Sequence, residues 1–129
     1  MGRRVPQVLL LIASLSLPPG LVAQATWQPV TSTSATGTSF AAASMVVVSQ
    51  EVVSIWVQRQ TQDFGRVLER YEINCVTQQR RLLEVWVRPE SPESAPAALV
   101  DQSWTVTIAN TPMRELVARV CAEWSLSKQ

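Results

Sequence analysis

The sequence predicts an α+β protein: a small antiparallel β-sheet with a C-terminal amphipathic helix packed on it, stapled by one disulfide. Three observations carry that prediction. Apolar and polar residues alternate around 53–57, 71–75, 83–87 and 104–108, the period of half-buried strands. From Met113 to Trp124 the apolar period lengthens to that of a helix. The two cysteines fall one in each kind of segment, Cys75 among the strands and Cys121 on the helix.

The first 25 residues have the make-up of a secretory signal. Arg3 and Arg4 give a short positive start, Val8 through Leu17 is apolar but for serine, and Ala23-Gln24-Ala25 is a small-x-small cleavage site. The apolar run is too short to cross a hydrocarbon core of roughly 30 Å, and Pro18-Pro19-Gly20 ends it, so a membrane anchor is the weaker reading. No second run of spanning length follows, and no cysteine at the cleavage point offers a lipid attachment site. The expected organisation is therefore a signal peptide, 1–25, and one domain, 26–129, of about 104 residues, enough for one core and not two.

Removing Arg3 and Arg4 from the eleven basic side chains leaves nine against ten acidic ones. That balance attracts neither nucleic acid nor anionic lipid. Export places the mature chain in the periplasm, at the cell surface or outside the cell, where a disulfide persists.

Along the mature chain, 31–39 is Ser/Thr-rich and reads as a loose segment. Met45 to Val48 is a β-branched run, and Val53, Ile55 and Val57 alternate with more polar neighbours up to Gln58. A polar turn over 60–65 leads to a strand in which Val67, Tyr71, Ile73 and Cys75 share one face while Arg70, Glu72 and Asn74 share the other. Glu69 is a charge on the apolar face. After a polar break at 78–81, Leu83, Val85 and Val87 alternate with Glu84, Trp86 and Arg88.

Three prolines and two glutamates between 89 and 98 suit neither ladder nor helix and mark a long exposed loop. Trp104, Val106 and Ile108 then alternate with Ser103, Thr105 and Thr107, and a one-residue slip would carry threonines into the core. Thr111 and Pro112 are an N-cap and a first-turn proline, and Met113, Leu116, Val117, Val120, Cys121 and Trp124 form the helix's apolar stripe.

Cys121 lies on that stripe and Cys75 on the strand face of Tyr71 and Ile73, so both thiols point to one core. Two cysteines allow one pairing, and closing 46 residues is worth roughly 4 kcal/mol on the chain-entropy model. The alternative is two buried free thiols, which export disfavours. Without histidine, two thiolates fall short of a four-ligand zinc set, so neither metal nor other cofactor is expected.

Several motifs resemble the bacterial surface-adhesin protein E family. They are Tyr71-Glu72-Ile73-Asn74-Cys75, the following Arg80-Arg81-Leu82-Leu83, and Trp104-Thr105-Val106-Thr107-Ile108 through Thr111-Pro112 and Glu115-Leu116 to Val120-Cys121. Trp27 and Val53-Ser54-Ile55-Trp56-Val57 match its opening tryptophan and an early strand. The chain departs from the family's pattern over Ala41-Ala42-Ala43-Ser44-Met45 and at Ser49-Gln50. The resemblance implies a small antiparallel sheet carrying a C-terminal helix joined by Cys75 and Cys121, and adhesion to macromolecules outside the cell.

Enzymatic chemistry finds little support. The usual general base is missing, and Lys128, near the C-terminus, is the one lysine that could serve a serine nucleophile. Asp63, Glu69, Glu72 and Glu84 could pair across a sheet as in a glycosidase, but such charges are commonly solvated strand or turn residues. Asp63-Phe64-Gly65 matches a kinase metal motif without any other kinase element and reads as a turn.

Two features suggest a binding surface. Trp56 and Trp86 have the opposite parity to the aliphatic sets, which puts both indoles on the face away from the helix. There they would serve a homodimer interface or a ligand platform, unless 31–44 folds over them. Arg80 and Arg81 could add a small cationic contact, or be a solvated hairpin end. The reading is an exported non-enzymatic protein that binds a protein or surface macromolecule. The alternative is a periplasmic module that assists or inhibits an envelope enzyme or complex.

Overall fold

A computed structural model describes residues 26–30, 37–99 and 101–127. The signal segment lies outside these residues, as does most of the Ser/Thr-rich stretch. Among these residues six strands, β1 (Gln28–Pro29), β2 (Thr38–Val47), β3 (Val52–Thr61), β4 (Gly65–Asn74), β5 (Gln79–Val87) and β6 (Thr105–Val106), precede one helix, α1 (Pro112–Ser127). Each strand pairs antiparallel with its sequence neighbour, so the sheet order is the chain order.

β3 and β4 form the regular centre, paired without interruption from Val52 opposite Asn74 to Thr61 opposite Gly65. The connecting turn is shorter than the polar composition suggests, because the ladder continues through Thr61. Gly65 supplies a left-handed residue there at φ 68°, which costs glycine nothing. Alternation then separates two layers. Val53, Ile55 and Val57 of β3 and Tyr71 and Ile73 of β4 meet Leu116, Val117 and Val120 of α1, with Phe40 and Val30 closing the side, all buried. Thr111 caps the helix as expected, its hydroxyl accepting from Arg114 N at 3.3 Å.

Cys75, the residue after β4, is joined to Cys121 with Cα atoms 5.5 Å apart, inside the usual range for a disulfide. The helix is thereby tied to the end of the sheet's central strand pair.

Two bulges alter the register. Between the pairs Ala41–Trp56 and Val46–Ser54, four residues of β2 stand against Ile55 alone. The gap is closed by Ser44, buried, whose hydroxyl donates to Ala41 O at 2.6 Å and accepts from Trp56 N at 3.1 Å. Between Arg70–Glu84 and Tyr71–Leu82, β5 carries Leu83 as an extra residue. Val85 and Val87 thus share a face with Leu82, not with Leu83 as strict alternation predicts, and Leu82 packs on the core.

β6 departs furthest from expectation. It is two residues long, and Val106 and Ile108 are 63% and 73% exposed while Thr107 is 4% exposed. The threonine wins the inward position because its hydroxyl donates to Gln78 O at 3.0 Å, satisfying a turn carbonyl that an aliphatic side chain could not. The proline-rich loop is irregular, as read, but its end runs along β5: Ala97 N donates to Val85 O, and Gln102 Nε2 to Leu83 O.

Candidate functional site

The face of the sheet away from α1 is a ladder of aromatic rings and ion pairs. Leu68 and Trp56 are buried in its centre, with Trp27 and Trp86 packed against them. The antiparallel register sets this layer: Leu68 stands opposite both Gln58 on β3 and Trp86 on β5, while Trp56 and Arg70 are partners one step along. Trp86 donates its indole N–H to Glu84 at 2.6 Å, and the other oxygen of Glu84 accepts from Arg70 Nε at 3.0 Å. The next rung holds Glu72, largely buried, bound by Arg81 through Nε at 2.7 Å and Nη2 at 2.6 Å. Arg81 also lies over the Trp104 ring, 4.8 Å from its centroid, and Arg66 over Trp27 at 5.9 Å.

Both indoles singled out in the sequence therefore lie on the helix-free face, but they differ in access. Trp56 is 5% exposed, under cover that includes Trp27, whereas Trp86 is half-buried. The joint contact expected of Arg80 and Arg81 does not exist. Both lie inside β5, where successive side chains point to opposite faces, so Arg81 sides with the tryptophans and Arg80 stands opposite Ile73 on the helix side. Arg80 Nε is buried there without a hydrogen-bond partner among the described residues. Trp104, expected to face the core, stands over this surface instead. Its Ser103 and Asp101 neighbours, which hydrogen bond to one another, give no sequence sign of that role.

The helix side holds a second concave region, at the start of α1. A cleft of about 380 Å³ is lined by Thr38, Val57, Arg59, Glu69, Tyr71, Thr111, Pro112, Met113 and Leu116. Glu69, the charge interrupting the apolar face of β4, is held by Arg59 in a fork, Nε to Oε1 at 2.6 Å and Nη2 to Oε2 at 3.2 Å. That hydrogen bond keeps the Arg59 guanidinium more firmly protonated than usual. Burial, and behind it the Glu69 carboxylate, push the Tyr71 phenol well above the ordinary tyrosine range. Sequence reading missed this grouping because Arg59 and Glu69 lie on different strands. An inward charge on each of two adjacent strands was the available signal.

Of the carboxylates considered for catalysis, Glu69, Glu72 and Glu84 each engage an arginine. Glu72 and Glu84 belong to the aromatic face and Glu69 to the helix side. Among the described residues no group of three His, Cys, Asp or Glu could hold a metal ion, and no helix is long and apolar enough to cross a membrane.

A crystal structure of Haemophilus influenzae protein E is similar to this chain in fold, with a TM-score of 0.53 and 14% sequence identity over 69% of this chain and 83% of that one. No protein-family profile and no curated protein matches the sequence.

Proposed function

We propose that this chain is an exported, non-enzymatic module that binds a macromolecule at or outside the cell envelope. The contact surface is the half-exposed strip of the helix-free face, around Trp86, Arg81 and Trp104. The observation that carries the reading is that strip itself: rings and guanidinium groups held in place by ion pairs, on a sheet face that α1 leaves open. Tryptophan and arginine are the side chains most enriched among binding hot spots, and preset rotamers reduce the ordering cost of association. The protein E-like fold and the disulfide support an exported binding role. The signal peptide, cut after Ala25, is part of the proposal.

Export is tested by protease accessibility of an epitope-tagged form on intact and permeabilised cells, with the N-terminus of the mature protein sequenced. Cleavage on intact cells, or release to the medium, is expected. Protection until permeabilisation would move the search to envelope partners. The surface is tested by binding to immobilised extracellular-matrix extract. The double variant Trp86→Ala/Trp104→Ala should bind at least about tenfold more weakly, the scale of a hot-spot loss. Unchanged binding by a folded variant would exclude the strip.

A further inference from the structure

The cleft at the start of α1 lies across the sheet from the tryptophan strip, and its chemistry differs. Val57, Leu116, Pro112 and Met113 give it apolar walls, and Met113 is an adaptable one. Its size falls at the lower end of ligand-binding cavities, enough for one large side chain.

Its polar floor is already neutral. Both oxygens of Glu69 are taken by Arg59, and burial keeps Tyr71 a neutral phenol. Arg59 uses two of its five N–H groups in that fork, and its remaining donors have no partner among the described residues although the side chain is 43% exposed. The cleft thus offers donors without net charge. A cation meets the guanidinium, and an added carboxylate places a second anion beside buried Glu69 where Arg59, already engaged, is the one cation among the lining residues; Arg80, on the same face, lies outside that lining. A neutral acceptor avoids both costs.

We infer that this cleft is an anchor site for a peptide, taking one apolar side chain of leucine or phenylalanine size while a main-chain carbonyl beside it accepts a hydrogen bond from Arg59. The inference does not depend on the tryptophan strip, and the two sites are separable by mutation.

The test is a titration of the full mature chain, isotopically labelled, with N-acetyl-leucinamide, N-acetyl-leucine and leucinamide as neutral, anionic and cationic probes. N-acetyl-leucinamide should shift the Arg59 Nε, Met113 and Leu116 resonances saturably, and bind at least about fivefold more tightly than either charged probe. Met113→Trp, which fills the cleft, should abolish the shifts, Arg59→Lys should weaken them, and Trp86→Ala should leave them unchanged. Absence of saturable shifts in the wild-type chain overturns the site. Equal binding of all three probes overturns the role of Arg59, and unaltered binding by a folded Met113→Trp variant overturns the location.

Discussion

The two faces of one sheet solve different problems with the same strands. On the helix side, aliphatic residues of β3 and β4 meet α1 and the layer is closed by the Cys75–Cys121 bond. On the other side the alternate residues of the same strands build rungs of tryptophan, arginine and glutamate, with Trp56 and Glu72 buried and Arg81, Glu84 and Trp86 half in water. The first face derives its energy from area removed from water, the second its order from directional contacts worth little each. The difference teaches that this fold can lose a rung of its open face and survive, whereas its covered face joins α1 to β2, β3, β4 and β5.

The strongest way to break the contrast is to cut the staple. Cys121→Ser should lower stability by up to about 4 kcal/mol on the chain-entropy model, readable as a large fall in thermal midpoint under oxidising conditions. An unchanged midpoint would remove the disulfide from the account. Next, Leu116→Ala, fully buried, should cost about 3 kcal/mol, while Trp104→Ala on the open face should cost below about 1 kcal/mol. Similar values from denaturant titration would mean that the open face is core after all.

Arg59→Ala tests the ion pair that penetrates the covered face. It leaves Glu69 buried and unpaired at a cost of about 2 kcal/mol, and Glu69→Gln in the same background should recover part of it. A separate effect appears at high pH. Because the folded Tyr71 pKa is raised, its contribution to stability is complete below about pH 10. Above that the unfolded chain loses a proton that the folded one keeps. Stability then declines by at most about 1.4 kcal/mol per pH unit until the folded pKa is passed. Tyr71 is the single tyrosine in the chain, so phenolate absorbance should rise together with unfolding. A rise at ordinary tyrosine pH in a folded chain would show the phenol to be open to solvent.

The central strands, the helix and the disulfide partners were legible because each rests on a long periodic signal, whereas β1 and the 38–44 part of β2 carry no such signal. Met113 to Trp124 keeps helical spacing, and Tyr71, Ile73 and Cys75 keep strand spacing up to the turn. What alternation cannot show is a missing or extra residue. Leu83 occupies a bulge, so counting by twos across it misassigned Leu83. Arg80 and Arg81 were read together because 78–81 was taken as a polar break, whereas β5 already runs through them and turns them to opposite faces. Thr107 shows the complementary failure. The aliphatic members of 104–108 looked inward, yet one carbonyl at Gln78 in need of a donor outweighed them in a strand two residues long. The pairing of Arg59 with Glu69 depended on strand register, which local sequence does not contain.

The strictly sequential strand order also bears on the path of folding. Each strand's partner is the next to leave the ribosome or the export channel, so the sheet can grow hairpin by hairpin, and isolated hairpins form in roughly 1–10 μs. α1 comes last and must find β2, β3 and β4 together, a search over far greater sequence distance. Pulse-labelled hydrogen exchange should accordingly protect the β3–β4 amides before those of α1, with oxidation of Cys75 and Cys121 recording the helix's arrival rather than directing it.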